Sequence, residues 1–160
     1  MASRKPSSTV NGSTTRTPDA IGMLRSDHEK VSGMFDRYEN LRTEKQKEAL
    51  AREICAELTV HAQLEEEIFY PAAREAIDDE DLLDEATVEH ASLKELIAQI
   101  EESSPAEELF DAKVKVLGEY VKHHVKEEQN EIFPQVKKSG VDLKELGQRM
   151  RDRKESLATT

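Results

Sequence analysis

One pattern occurs twice in this chain of 160 residues: His61-x-x-x-Glu65 with Pro71 ten residues after the histidine, and His124-x-x-x-Glu128 with Pro134 ten after it. An acid–histidine pair precedes each. In Asp27-His28 the histidine lies 33 residues before His61, and in Glu89-His90 it lies 34 before His124. Positions i and i+4 of an α-helix share a face one turn apart, so the His and Glu of each pair can reach one point. The repeat constrains the chain to helices that aim two His/Glu pairs and two single histidines inward, using four of its five histidines. That donor set is a nitrogen/oxygen cage for metal, with ligands enough for two ions.

Apolar spacing predicts the helices that carry these residues. Thr17-Pro18-Asp19 reads as an N-cap followed by proline at the first helical position. Ile21, Leu24, Val31, Met34, Phe35 and Tyr38 then recur at threes and fours with His28 on their stripe, which predicts helix 1 over about 18–39. Thr43-x-x-Gln46 is a capping box for helix 2, whose face runs Leu50, Ile54, Leu58, His61, Glu65, Ile68 and Phe69 until Pro71 bends or ends it. Asp78, Asp79 and Asp81 suit the start of helix 3, with Leu83, Ala86, His90, Leu93 and Ile97 on one stripe. Ser103-Ser104-Pro105 with Glu107 reads as a breaker and a further capping box. Helix 4 carries Phe110, Val114, Leu117, Val121, His124 and Glu128 to Pro134, and Ser139-Gly140 closes it.

These helices predict an all-α fold, an up-down-up-down antiparallel four-helix bundle over 17–138. The Ser/Thr-rich residues 1–16 read as a disordered tail, and 139–160 as a short amphipathic helix, with Leu143, Leu146 and Met150 on one side, ending in a frayed terminus. Helices 1–2 and 3–4 make two similar halves, and a pseudo-two-fold axis between them brings the His/Glu clusters together mid-bundle.

The net charge is −11, and three of the cations fall in the first eighteen residues, leaving the rest more acidic still. That balance argues against nucleic acid or an anionic membrane as a main partner. The lone Cys55 excludes an intrachain disulfide and a cysteine-rich zinc or iron–sulfur site, and reads as a small buried apolar residue. No run of apolar residues is long enough to span a membrane, and the amino terminus lacks the apolar core of a secretory signal. A cytoplasmic protein is expected.

A carboxylate facing the core without a partner costs several kcal/mol, roughly, so inward Glu65 and Glu128 need compensation. Lys94, Lys113, Lys115, Lys122 and Lys126 fall mostly on outward positions. Cations shared by both carboxylates and ringed by imidazoles solve the problem. Four His and two Glu exceed what one tetrahedral zinc needs, and imidazole with carboxylate and no thiolate suits iron, manganese, copper or zinc. Register alone leaves open a swap of His123/Glu127 for His124/Glu128; the match of Pro134 with Pro71 favours the latter.

Taken as a set, Asp27-His28-Glu29, His61-Ala-Gln-Leu-Glu65 running to Tyr-Pro71, Glu89-His90, and His124-Val-Lys-Glu-Glu128 running to Phe-Pro134 resemble the hemerythrin-like family, the HHE cation-binding domain, over roughly 19–137. Ferritin-like bundles instead use Glu-x-x-His, and the residues three before His61 and His124 are Leu58 and Val121. The resemblance implies two Fe ions in an oxo- or hydroxo-bridged centre bridged by Glu65 and Glu128. His28 and His61 would serve mainly one iron, His90 and His124 mainly the other. It further implies a small-molecule ligand: O2, H2O2 or nitric oxide.

This chain departs from the invertebrate oxygen carriers of that family, which carry two histidines a turn apart on helix 3. Here the positions four before and four after His90 are Ala86 and Lys94. One iron therefore lacks a nitrogen ligand. Tyr120, one turn before His124, is a candidate oxygen ligand, and Tyr120 or Glu89 a candidate acid–base group for catalase-like or peroxidase-like turnover. Fewer imidazoles favour reaction over reversible storage. The alternative expectation is an iron, oxygen or redox sensor that acts on a separate protein, with Leu143, Leu146 and Met150 as the contact. Plain metal storage is a third, poorly served by two ions per chain.

Overall fold

The chain folds so that each long amphipathic segment becomes one rod of a bundle. In the computed structural model, which describes residues 17–159, the elements are α1 (Ala20–Glu39), α2 (Glu44–Leu64), a π-helical turn (Glu65–Phe69), α3 (Tyr70–Ala76), α4 (Glu80–Glu101), α5 (Phe110–Glu127), a second π turn (Glu128–Ile132), α6 (Phe133–Lys138) and α7 (Leu143–Ala158). No strand occurs among the described residues. The tail expected over 1–16 lies outside them. α2 continues through its π turn into α3, and α5 through its own into α6, so four rods make the antiparallel bundle. α1 packs on α2 and α5, and α4 on the same two.

Capping accounts for most starts and corrects two expectations. Thr43 accepts from the Gln46 amide at 3.2 Å, as its capping box predicts. α1 begins later than expected: Asp19, not Thr17, is the cap, accepting from Gly22 N at 2.9 Å. Its carboxylate both takes an unpaired amide and meets the positive end of the helix dipole. The capping box at Ser104–Glu107 does not start α5. Ser104 Oγ instead accepts from Ala106 N at 3.3 Å, and turns bonded from Glu107 to Ser104 and from Phe110 to Glu107 delay the helix to Phe110.

Pro71, expected to bend or end helix 2, instead sits in the first turn after a π turn, and Pro134 occupies the same place in its own rod. Proline has no N–H and its ring crowds the carbonyl four residues back. One extra residue per turn relieves this: Tyr70 N–H bonds Glu65 O, and Phe133 N–H bonds Glu128 O, both i to i−5. The rods carry on, with their faces rotated beyond the two glutamates.

Two apolar clusters fill the bundle, and the polar residues of the repeat lie between them. One holds Val31, Ile54, Cys55, Ile97, Leu117 and neighbours; the other holds Leu24, Phe69, Leu83, Phe133, Leu146 and Met150 among others. Each such side chain contributes about 1.5–3 kcal/mol when fully buried. Cys55 is a free buried thiol whose proton burial holds on up to about 12.

Leu146 and Met150 belong to the chain's own core. α7 lies so close to α1 that a Cβ on Gly147 would come within 2.9 Å of Ala20 N. Arg151 bonds Pro18 O at 2.7 Å, Arg153 bonds Glu67 at 2.8 Å, and Lys154 bonds Asp27 at 3.2 Å. The outward contact face expected for Leu143, Leu146 and Met150 is therefore largely spent within the fold.

Candidate metal centre

Four rods each deliver one imidazole to mid-bundle. His28 comes from α1, His61 from α2, His90 from α4 and His124 from α5, all buried among the apolar stripes that set their register. Glu65 and Glu128 open the two π turns and are 0 % exposed. The six residues of the repeat converge. His28 Nε2 lies 3.1 Å from Glu128 Oε1, and His124 Nε2 lies 3.1 Å from Oε2 of the same carboxylate. His61 Nε2 and His90 Nε2 lie 3.0 and 3.3 Å from Glu65 Oε1. The donors fall into two overlapping groups, Glu65/His90/His124/Glu128 and His28/His61/Glu128, each with its ligand atoms within 4.8 Å of one another.

Every imidazole is held from behind. Nδ1 of His61 meets Asp27 at 3.0 Å, that of His90 meets Glu66 at 3.1 Å, and that of His124 meets Glu89 at 3.0 Å. The Gln129 side-chain amide meets His28 Nδ1 at 3.0 Å. A carboxylate behind Nδ1 holds the N–H there, orients the ring and leaves Nε2 free to point inward as a donor. The acid of each acid–histidine pair therefore serves the next rod: Asp27 supports His61, and Glu89 supports His124. Glu89 is thereby engaged in positioning an imidazole, away from the interior acid–base role expected of it.

Tyr70 enters this centre and Tyr120 does not. Tyr120 is 50 % exposed. The Tyr70 hydroxyl donates to Glu128 Oε2 at 2.6 Å and stands 3.2 and 3.1 Å from Nε2 of His90 and His124. A 3.6-residue repeat places a residue five beyond Glu65 off its face; the π turn brings it back. The sequence carries one trace of this: Pro71 follows Tyr where Pro134 follows Phe, so the first repeat alone offers a hydroxyl there. His123, 73 % exposed in its side chain, faces outward with Glu127, so His124/Glu128 is the inward pair.

The charge balance calls for cations. His28 Nε2, both oxygens of Glu65 and Glu128 Oε1 are buried without any hydrogen-bond partner. Orphaned buried carboxylate oxygens cost about 1–3 kcal/mol each, and more when charged. Burial by itself pushes His61 down, but Glu65 and the bond to Asp27 take it up to about 10. Burial likewise opposes the charged form of His124, while its bonds to Glu128 and Glu89 raise it to about 11. Burial, then the charges of Glu65 and Glu128, hold the Tyr70 proton on far above the ordinary phenol range. The carboxylates draw positive charge from whatever is near them, and the donor chemistry fits metal ions in that place.

Bundled helices with a histidine on each rod and carboxylates at their midpoints define a class of helical cation-binding domains. Residues 19–136 match the Hemerythrin HHE cation binding domain family, and the chain belongs to that family. The crystal structure of a hemerythrin HHE cation binding domain-containing protein from Mycobacterium kansasii has the same fold. Its TM-score is 0.75 at 22 % identity, over 87 % of this chain and 86 % of that one. A protein of Nostoc sp. strain PCC 7120 described as a DNA nickase is 28 % identical over 131 residues, 82 % of this chain. The aligned region spans 37 % of that relative's length. No helix among the described residues is long and apolar enough to cross a membrane.

Proposed function

We propose that this chain is a cytoplasmic non-haem di-iron protein that reacts with dioxygen, hydrogen peroxide or nitric oxide. The ligands we assign are His28, His61, Glu65, His90, His124 and Glu128, with the Tyr70 oxygen in place of the second nitrogen that α4 lacks. One observation carries the reading: four imidazoles, each secured at Nδ1, turn their Nε2 atoms onto two fully buried carboxylates, of which both Glu65 oxygens and Glu128 Oε1 lack a hydrogen-bond partner. Imidazole and carboxylate without thiolate suit iron, and the family match supports a cation.

When bound, a pair of iron ions supplies electrons to a small oxidant or takes them back. The protein's residues do the rest. Leu58, Ile97, Val121 and the other apolar walls keep bulk water from the interior. Asp27, Glu66 and Glu89 fix the rings. In metal-free protein the Tyr70 hydroxyl donates its proton to Glu128 Oε2 at 2.6 Å, and that proton leaves when the oxygen takes a metal. With Tyr120 exposed and Glu89 behind His124, neither of the expected acid–base groups faces the centre.

A regulator working through a separate partner finds less support, because Leu146 and Met150 are buried against α1. The test is the near-ultraviolet and visible absorbance of iron-loaded protein, followed through dithionite reduction and re-exposure to air. Rapid return to the oxidised spectrum is expected, with O2 evolution on adding H2O2 if turnover is catalase-like. A spectrum that dithionite and air leave unchanged would refute the reading.

A further inference from the structure

Above the centre, toward the Ile54–Leu117 end of the bundle, lies a chamber of about 280 Å³. Its floor is the inner edge of His28, His61, Glu65, His90 and His124, and its walls are Val31, Leu58, Leu93, Ile97, Val121 and Val125. The exposed residues lining it, Thr59, Lys94, Ala98 and Glu101, all belong to α2 and α4, so its mouth lies between those two helices.

Between its floor and its exposed rim, where Lys94 and Glu101 lie, the chamber offers an occupant almost no polar partner. The Thr59 hydroxyl is bonded to Cys55 O at 2.7 Å, and Lys94 is paired with Glu66. Asp27 is taken by His61 and Lys154. A charged molecule would lose its hydration there for nothing in return, and water without two or more partners is poorly held. Size narrows the occupant further. A dry apolar cavity of roughly 150 Å³ accepts benzene or xenon, and a water fills about 30 Å³. A diatomic would leave most of this space empty.

We propose that the chamber is a second ligand site, taking an uncharged organic molecule with an apolar body the size of a monocyclic aromatic and seating it with one edge on the imidazole floor. This rests on the metal reading for its floor, which is five of the six assigned ligands; the walls are apolar side chains of α1, α2, α4 and α5. Such a ligand is positioned as a neighbour of whatever small oxidant the centre meets.

Fluorobenzene is the probe, followed by fluorine NMR with iron-loaded and metal-free protein. The expected result is one saturable site, not competed by benzoate, and weakened at least tenfold by Ile97→Phe and by the half-buried Leu93→Phe, with folding of both checked by circular dichroism. Saturation should also shift the iron absorbance. Absence of saturable binding, equal competition by benzoate, indifference to both variants, or uptake of xenon alone would overturn the proposal. Fluorobenzene binding by protein that takes up no iron would uphold the chamber and sink the di-iron reading; iron uptake without fluorobenzene binding would do the reverse.

Discussion

Replacing Tyr70 by Phe removes one oxygen and leaves the ring in its packing against Phe69 and His90. In metal-free protein the lost interaction is the 2.6 Å bond to Glu128 Oε2, short and charge-assisted. A hydrogen bond to a buried charge contributes about 1.5–3 kcal/mol. For a chain of this size each kcal/mol moves the melting temperature by roughly 2–4 °C, so the metal-free variant should melt about 3–12 °C lower. In iron-loaded protein the loss falls on the His90/His124 side. Affinity for the second ion should drop by roughly 10–100-fold, the range seen when a supporting partner of a metal site is removed. The visible absorbance of a ferric phenolate should vanish. Calorimetric melts, iron titration and absorbance spectra of both proteins check all three. A variant with the same melting temperature, two tightly held ions and an unchanged visible spectrum would refute the place given to Tyr70.

Glu65→Ala should strip most of the bound iron while helix content falls much less, because the leucine stripes remain; iron content by atomic absorption beside circular dichroism decides it. Gly147→Ala pushes a Cβ to within 2.9 Å of backbone on α1. It should destabilise the protein by about 1–3 kcal/mol, as overpacking does, in urea unfolding, and an unchanged midpoint would contradict the close approach of α7. His61 and His124 are raised to about 10 and 11 in the protein's own charge balance, above the ordinary imidazole value of 6.5. Their protonation therefore stabilises metal-free protein fully below pH 6.5, and that stability is lost as pH climbs through 10 and 11. Metal-bound imidazoles carry no such proton, so melts of the loaded protein should hold over that range while those of metal-free protein fall.

Much of this architecture is legible in the residues, and the illegible parts have separate causes. Stripes such as Leu24, His28 and Val31, or Leu117, Val121 and His124, state both the rod and its inward face, because a 3.6-residue period holds along them. The period fails after Glu65 and Glu128, where proline forces a π turn. A reading by fixed period therefore sends Tyr70 off the site and favours Tyr120, which lies outside it. The supports behind the imidazoles were hidden for another reason. Asp27 and Glu89 are visible beside His28 and His90, yet they bond His61 and His124 on neighbouring rods. Such contacts depend on how rods pack, which no single stripe records. α7 gave a clear amphipathic face, but only its crossing over Ala20 reveals that the face covers the chain's own core.

The di-iron centre is tested most directly by the iron bound per folded chain, measured after anaerobic loading with ferrous iron and removal of excess, alongside the protons released. Two ions per chain are expected, with proton release from His61, His124 and Tyr70. Folded protein that retains no metal, or that binds it without releasing protons, would contradict that centre.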